Sequence, residues 1–281
     1  MFWLLAALSV AITAGVLGGL PLSDFLPSVI TDAVPPVVLE PGLLGLYFAA
    51  GIAVSITPLH RVLHYSATVV HELGHAFVTG LLGGRPREIE IHPSGSGVAT
   101  YEAPVLWSRW RRVTVTGAGY PAPAVAGLAG VMAAVNGLGA RWVVFTASVL
   151  MLAVVMIIRN LWGFFWSAAV LVAAFLGVQH LSAEQVALLG VAMSGFLLTE
   201  ALRDSWEQIK IVRRINNSGA DAERIADWLS INRTFVAFSQ FVMVGVLSAL
   251  SVRLGLVENW SEVVDSGTDL WDEVQTLVGE R

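Results

Sequence analysis

The chain has 281 residues, 56% apolar and 13% charged, with a mean hydropathy of +0.71 and a formal net charge of −5. Soluble domains carry about 25% charged residues, so a water-covered globule is excluded, and so is a disordered chain, which lacks this much apolar surface to bury. The absence of cysteine excludes disulfides, thiolate metal sites and cysteine nucleophiles, leaving His, Asp, Glu and oxygen ligands for any metal.

A transmembrane helix needs about 20 apolar residues. On that measure spans are predicted at 2–20, 43–58, 64–84, 114–136, 142–158, 161–180, 185–202 and 234–254. The expected fold is an all-α polytopic membrane protein of about seven to eight transmembrane helices. Residues 1–63 hold N-terminal membrane segments and a Pro-rich connector with Asp24, Asp32 and Glu40. Residues 64–254 form the main membrane domain and 255–281 a tail. The first stretch lacks a basic leading region and a small-x-small cleavage site, so it reads as a retained span, with an inefficient signal peptide as the alternative.

Between the third and fourth spans, Arg87-Glu-Ile-Glu-Ile-His and Val98-Ala-Thr-Tyr101 flank a Pro-Ser-Gly-Ser-Gly turn, which predicts a β-hairpin with an exposed edge. That edge is either a plain connector or a place where a substrate strand adds. Arg85, Arg87, Arg109, Arg111 and Arg112 fall in this loop, and Arg203, Lys210, Arg213, Arg214, Arg224 and Arg233 fall in a second. Four spans separate the two loops, so both are expected on the cytoplasmic side. Trp107, Trp110, Trp142, Trp162, Trp206 and Trp260 lie near span ends, where indoles settle among headgroups. From Val257 onward, seven acidic residues face Arg281 alone, a net −6 that leaves the rest at +1. No basic stripe is present to bind nucleic acid.

The chemistry lies in the third span, at His71-Glu-Leu-Gly-His75. On a helix, His71 and His75 share one face and can reach one ion, while Glu72 can reach a water beside it. This is the zinc-hydrolase pattern: zinc acidifies water, and the carboxylate takes its proton. Two histidines and a glutamate in an apolar span are costly unless paired or metal-bound; the alternative is a polar cluster that hydrogen-bonds helices together. Catalytic zinc wants three protein ligands.

The block His71-Glu-Leu-Gly-His-Ala76, with Leu81-Leu-Gly-Gly-Arg85 and Ser94-Gly-Ser-Gly97, resembles the site-2 protease superfamily, and more narrowly its bacterial Peptidase M50B-like branch. Gly119-Tyr-Pro-Ala-Pro-Ala124 and Gly219-Ala-Asp-Ala222 are similar to that branch's Gly-Tyr-x-Gly-Pro-Ala and Ser-Asp-Ala elements, with Ala220 in place of the serine. The resemblance implies an intramembrane zinc metalloprotease that cuts in or near transmembrane segments of membrane-protein substrates in a bacterial cell membrane. It makes 64–254 the catalytic domain, with His71 and His75 as zinc ligands and Glu72 as general base. The Leu-Asp-Gly motif of better-known members is absent. Asp221 is the choice for the third ligand, with a plain helix N-cap as its alternative role; Glu200, Asp204 and His92 are its rivals. Asn160 reads as a cap or interface residue, or as a group that orients a substrate or ligand. His60 and His64 read as interfacial histidines beside Arg61, and Glu200 as a headgroup-solvated helix end. Small residues from Gly117 to Gly137, with Pro121 and Pro123, predict a span packed on the catalytic helix, and such faces would permit a homodimer. The competing readings are an inactive relative that binds or escorts membrane proteins, and a transporter, for which no internal repeat is found.

Overall fold

The computed structural model describes residues 35–215 and 217–257. The predicted first span, most of the acidic connector and the acidic tail from 258 lie outside the described residues. In chain order the elements are α1 (Pro41–Val54), α2 (His60–Leu81), β1 (Arg85–Ile91), β2 (Gly97–Glu102), α3 (Arg109–Gly117), α4 (Pro121–Val135), α5 (Gly139–Met156), α6 (Leu161–His180), α7 (Ala183–Arg214), α8 (Asp221–Leu229) and α9 (Arg233–Val252), the last continued by a π-helical turn over Arg253–Val257.

Among the described residues, four helices are long and apolar enough to cross a membrane: α5, α6, α7 and α9 with its extension. A fifth is reached if α3 and α4 count as one span. The sequence placed one span over 114–136 with a break at Pro121 and Pro123, and in the structure α3 and α4 meet at a 55° bend just before them. Pro121 stands at the first position of α4, where its missing N–H costs nothing. The prolines therefore start a helix rather than interrupt one. α1 has only 14 residues, about 21 Å of helix against a hydrocarbon core of about 30 Å. α2 is long enough at 22 residues, but His60, Arg61, His64, His71, Glu72 and His75 lower its hydropathy below that of a span.

The 32-residue helix α7 is the axis of the molecule. Its start is set by a capping box in which Ser182 accepts from the Gln185 backbone N–H and the Gln185 side chain accepts from the Ser182 N–H. Leu44 and Phe48 of α1, Ala124 and Val131 of α4, Ala140 of α5 and Val244 of α9 gather around Val186, Val191 and Leu198 of α7 in one buried cluster. α1 crosses α7 backbone against backbone: a Cβ on Gly51 would collide with the Ala192 carbonyl, and one on Gly195 with that of Phe48. The small face of α4 is likewise used within the protomer, Gly127 lying against Leu198 and Ser194 of α7.

The hairpin forms as the sequence predicts, antiparallel from Arg85↔Glu102 to Ile91↔Gly97, with an irregularity between Pro86 and Glu88. Ile89 and Ile91 are buried with Tyr65, Val69 and Ala76 of α2 and Ala153, Val154 and Ile157 at the end of α5. The outer edge of β1 is covered: Ile89 N–H donates to Ile157 O (2.7 Å) and Arg159 N–H to Ile89 O (3.2 Å). Asn160 extends this edge through its side chain, Oδ1 accepting from Ile91 N–H (3.0 Å) and Nδ2 donating to Ile91 O (2.5 Å). Its amide thus holds the hairpin. Trp107 also departs from expectation; it is buried, and its indole N–H donates to Leu82 O (3.2 Å).

Candidate metal centre

His60, His64, His71 and His75 follow one another on α2 at steps of four, seven and four residues, so all four lie along one face. The lower pair, His71 and His75, have their Nε2 atoms 3.1 Å apart. Asp221 Oδ2 stands 3.3 Å from His71 Nε2 and 3.1 Å from His75 Nε2. Tetrahedral zinc, with bonds of about 2.0–2.1 Å, places two such ligands about 3.3–3.4 Å apart. The three atoms therefore form a triangle of the size one zinc ion requires.

Each corner is held from behind. His75 Nδ1 lies 2.8 Å from Val115 O at the end of α3, which assigns the proton to Nδ1 and leaves the Nε2 lone pair facing the centre. The ring of Tyr120 packs edge-on against His71, centroids 4.7 Å apart. Gly119, in the bend between α3 and α4, leaves room for both rings; a Cβ there would stand 2.5 Å from each Nε2. The bend is thus what fits the fourth predicted span around the histidines.

Asp221 is the first residue of α8, and Ala220, not Asp221, occupies the cap position, with no side-chain cap bond. The N-cap alternative is therefore set aside by the geometry. Burial pushes the Asp221 carboxyl up, and the two histidine rings more than offset this, holding it below the ordinary aspartate value. α8 is anchored by Ala222, Ile225 and Ala226 against Ile209 and Val212 of α7 and Val236 and Ala237 of α9. The loop that delivers it is organised by Glu223, which accepts from Asn217 N–H (2.9 Å), Ser218 Oγ (2.8 Å), Gly219 N–H (3.0 Å) and Arg233 (2.9 Å). Those donors, Ser218 foremost, bring its carboxyl down to about 2. Sequence reasoning passed over Glu223 and used Arg233 only to orient the loop, missing the pair they form. The available signal was a glutamate three residues beyond the cap residue Ala220, the capping-box position.

Glu72 is buried beside the triangle. β2 runs across it: a Cβ on Gly97 would stand 2.7 Å from Glu72 Oε1. Because Ile89 turns its own N–H and C=O away from β2, its partner Ala99 directs its polar groups to the outer edge of the hairpin, the side on which Glu72 lies. The free edge of the hairpin and the candidate base therefore face each other.

The rivals for the third position lie elsewhere. His92 sits at the hairpin turn, 3.9 Å from Glu90. Asp204 belongs to neither three-residue group of potential ligands among the described residues. Glu200 is fully buried, not headgroup-solvated, and its Oε2 lies 2.9 Å from both His60 Nε2 and His64 Nδ1. The reading of those two histidines as interfacial is corrected with it, since they share a buried carboxylate from α7.

A family model described as Peptidase M50B-like matches residues 44–252. No curated protein and no solved structure matches the chain.

Proposed function

The chain belongs to the Peptidase M50B-like family, within the site-2 protease superfamily, and from that premise we propose that it is an intramembrane zinc endopeptidase acting on peptide bonds in or near transmembrane segments of other membrane proteins. The observation that carries this reading is the near-equilateral triangle of His71 Nε2, His75 Nε2 and Asp221 Oδ2, at 3.1 to 3.3 Å, with Glu72 beside it. It supports Asp221 as the third ligand in a chain without a Leu-Asp-Gly motif. Zinc, when bound, supplies a Lewis acid that polarises the scissile carbonyl and acidifies water.

Glu72 takes the proton of the attacking water and returns it to the leaving amine nitrogen as the C–N bond breaks. Its burial beneath β2 keeps bulk water from competing for that proton. The free edge of β2, with Ala99 on the side of the base, supports docking of substrate as an added strand. The bilayer is the setting, consistent with the four apolar helices, and a bacterial cell membrane follows from the resemblance.

The test is Glu72→Gln beside wild type, both reconstituted in liposomes with extracted membrane proteins and read by mass spectrometry of new termini. Glu72→Gln is expected to keep its zinc and lose cleavage by about 10²–10⁴-fold. Equal cleavage by both proteins overturns the mechanism. Zinc retention without cleavage in wild type would favour the escort reading.

A further inference from the structure

We propose that His60 Nε2, His64 Nδ1 and Glu200 Oε2 form a second site for a divalent transition cation of the zinc class. Their ligand atoms lie within 4.8 Å of one another, and the carboxylate oxygen is 2.9 Å from each nitrogen. Two imidazoles and one carboxylate select zinc, cobalt or nickel over calcium or magnesium, which prefer oxygen-only shells.

Hydrogen bonds alone do not satisfy this cluster. Arg203 Nη1 stands 3.0 Å from His60 Nε2. A guanidinium only donates, so this contact needs a bare nitrogen on His60. The same nitrogen lies 2.9 Å from Glu200 Oε2, which only accepts when ionised and so needs a proton there. No protonation state of His60 serves both neighbours. A cation between the nitrogen and the oxygen serves both lone pairs at once. Arg203, whose side chain is 50% exposed, can then turn outward and give up its place. The second, independent sign is Glu200 Oε1. It is buried without a hydrogen bond, and Arg203 Nη1 stands no nearer than 4.0 Å to it. A buried carboxylate oxygen with no donor is costly, and a cation brought into the cluster offsets that cost.

Seven residues separate His64 from His71, about 10 Å along a helix. That exceeds the roughly 3.5–4 Å of a two-metal catalytic pair, so the second ion is a separate, organising one. It ties the start of α2 to the middle of α7. It also sets the height of the hairpin turn, because Gly95 lies directly over the His64 ring and Thr68 Oγ1 donates to Gly95 O (2.8 Å).

The experiment is zinc titration of the full chain in detergent, stripped with chelator, with metal counted by elemental analysis and Co²⁺ absorption as a second readout. Wild type is expected to bind two equivalents. The His60→Asn/His64→Asn and His71→Asn/Asp221→Asn double variants should bind one each. Glu200→Gln should match the first of these; the partly exposed His60 and His64 keep the test informative if loss of Glu200 prevents folding. Arg203→Gln should bind the second equivalent several-fold more tightly. One equivalent in wild type, lost only with His71 and Asp221, overturns the second site and leaves the proposed function standing. One equivalent lost only with His60 and His64 keeps the second site and removes the proposed function. Two equivalents that persist in the His60/His64 variant, or none in wild type, overturn the second site.

Discussion

The two histidine–carboxylate clusters on α2 use the same local device and differ in what completes them. Each starts from a His-x-x-x-His pair that a helix places on one face. The lower pair receives Asp221 from a nine-residue helix at the end of a loop, clasped by Glu223 and Arg233. The upper pair receives Glu200 from the middle of α7, the most heavily packed helix of the fold. The lower cluster surrounds its three atoms with supports that fix the rings and leave the centre to the ligands. The upper one has Arg203 inside it. A site whose carboxylate arrives at the end of a loop needs a clasp to hold its geometry; one whose carboxylate is part of the framework keeps its position through the packing of α7 itself.

The change expected to break this comparison most severely is Gly119→Ala. The added methyl would stand 2.5 Å from both histidine Nε2 atoms, inside the space an ion needs. Zinc at the lower site should be lost outright, with the upper cluster unaffected; elemental analysis reads both. Retention of lower-site zinc would mean that the bend between α3 and α4 does not define the pocket.

Glu223→Gln is expected to act more gently. It keeps the shape of the clasp but removes the charge that Arg233 and the loop donors hold, and supports of this kind are worth about 10–100-fold in metal affinity. Zinc competition against a chromogenic chelator should show that loss at the lower site alone. An equal loss at both sites would point to general destabilisation rather than to delivery of Asp221.

The smallest effect is expected from Asn160→Ala, which removes both side-chain bonds to Ile91 at about 1–3 kcal/mol. Hydrogen exchange should rise across β1 and β2 while zinc content stays unchanged. Cleavage should fall if the β2 edge guides substrate past Glu72. Unaltered exchange in the hairpin would show that Ile157 and Arg159 hold it unaided.

Much of the molecule was legible beforehand. The apolar runs that became α5, α6, α7 and α9 were visible because burial in lipid demands long uninterrupted hydrophobicity, a property of consecutive residues. The hairpin was visible because alternation and a Gly-rich turn are local too. His71, Glu72 and His75 were visible because helical spacing alone brings them together. The span count was less secure for the same reason. α2 carries its functional polar residues within the stretch that would have announced it, and α3 and α4 are bent at Gly119 and Tyr120 to fit around the histidine rings.

Asp221 could be named from resemblance but not distinguished from a cap, because 146 residues separate it from His75 and only the docking of α8 on α7 and α9 turns its carboxylate inward. Glu200 was read as a solvated helix end because nothing in its neighbours reveals that α2 lies across it. Asn160, read as a cap or interface residue, does stand at the N-cap of α6, but its side chain goes to Ile91, a partner the sequence could not show because that strand is formed much earlier in the chain. Sequence alone determined which segments are helical, which are apolar and which polar side chains share a helix face, since those follow from the 3.6-residue period and the cost of exposed apolar surface. Which carboxylate meets which histidine pair was decided by tertiary packing, because that pairing depends on how distant helices cross, and no local preference encodes a crossing.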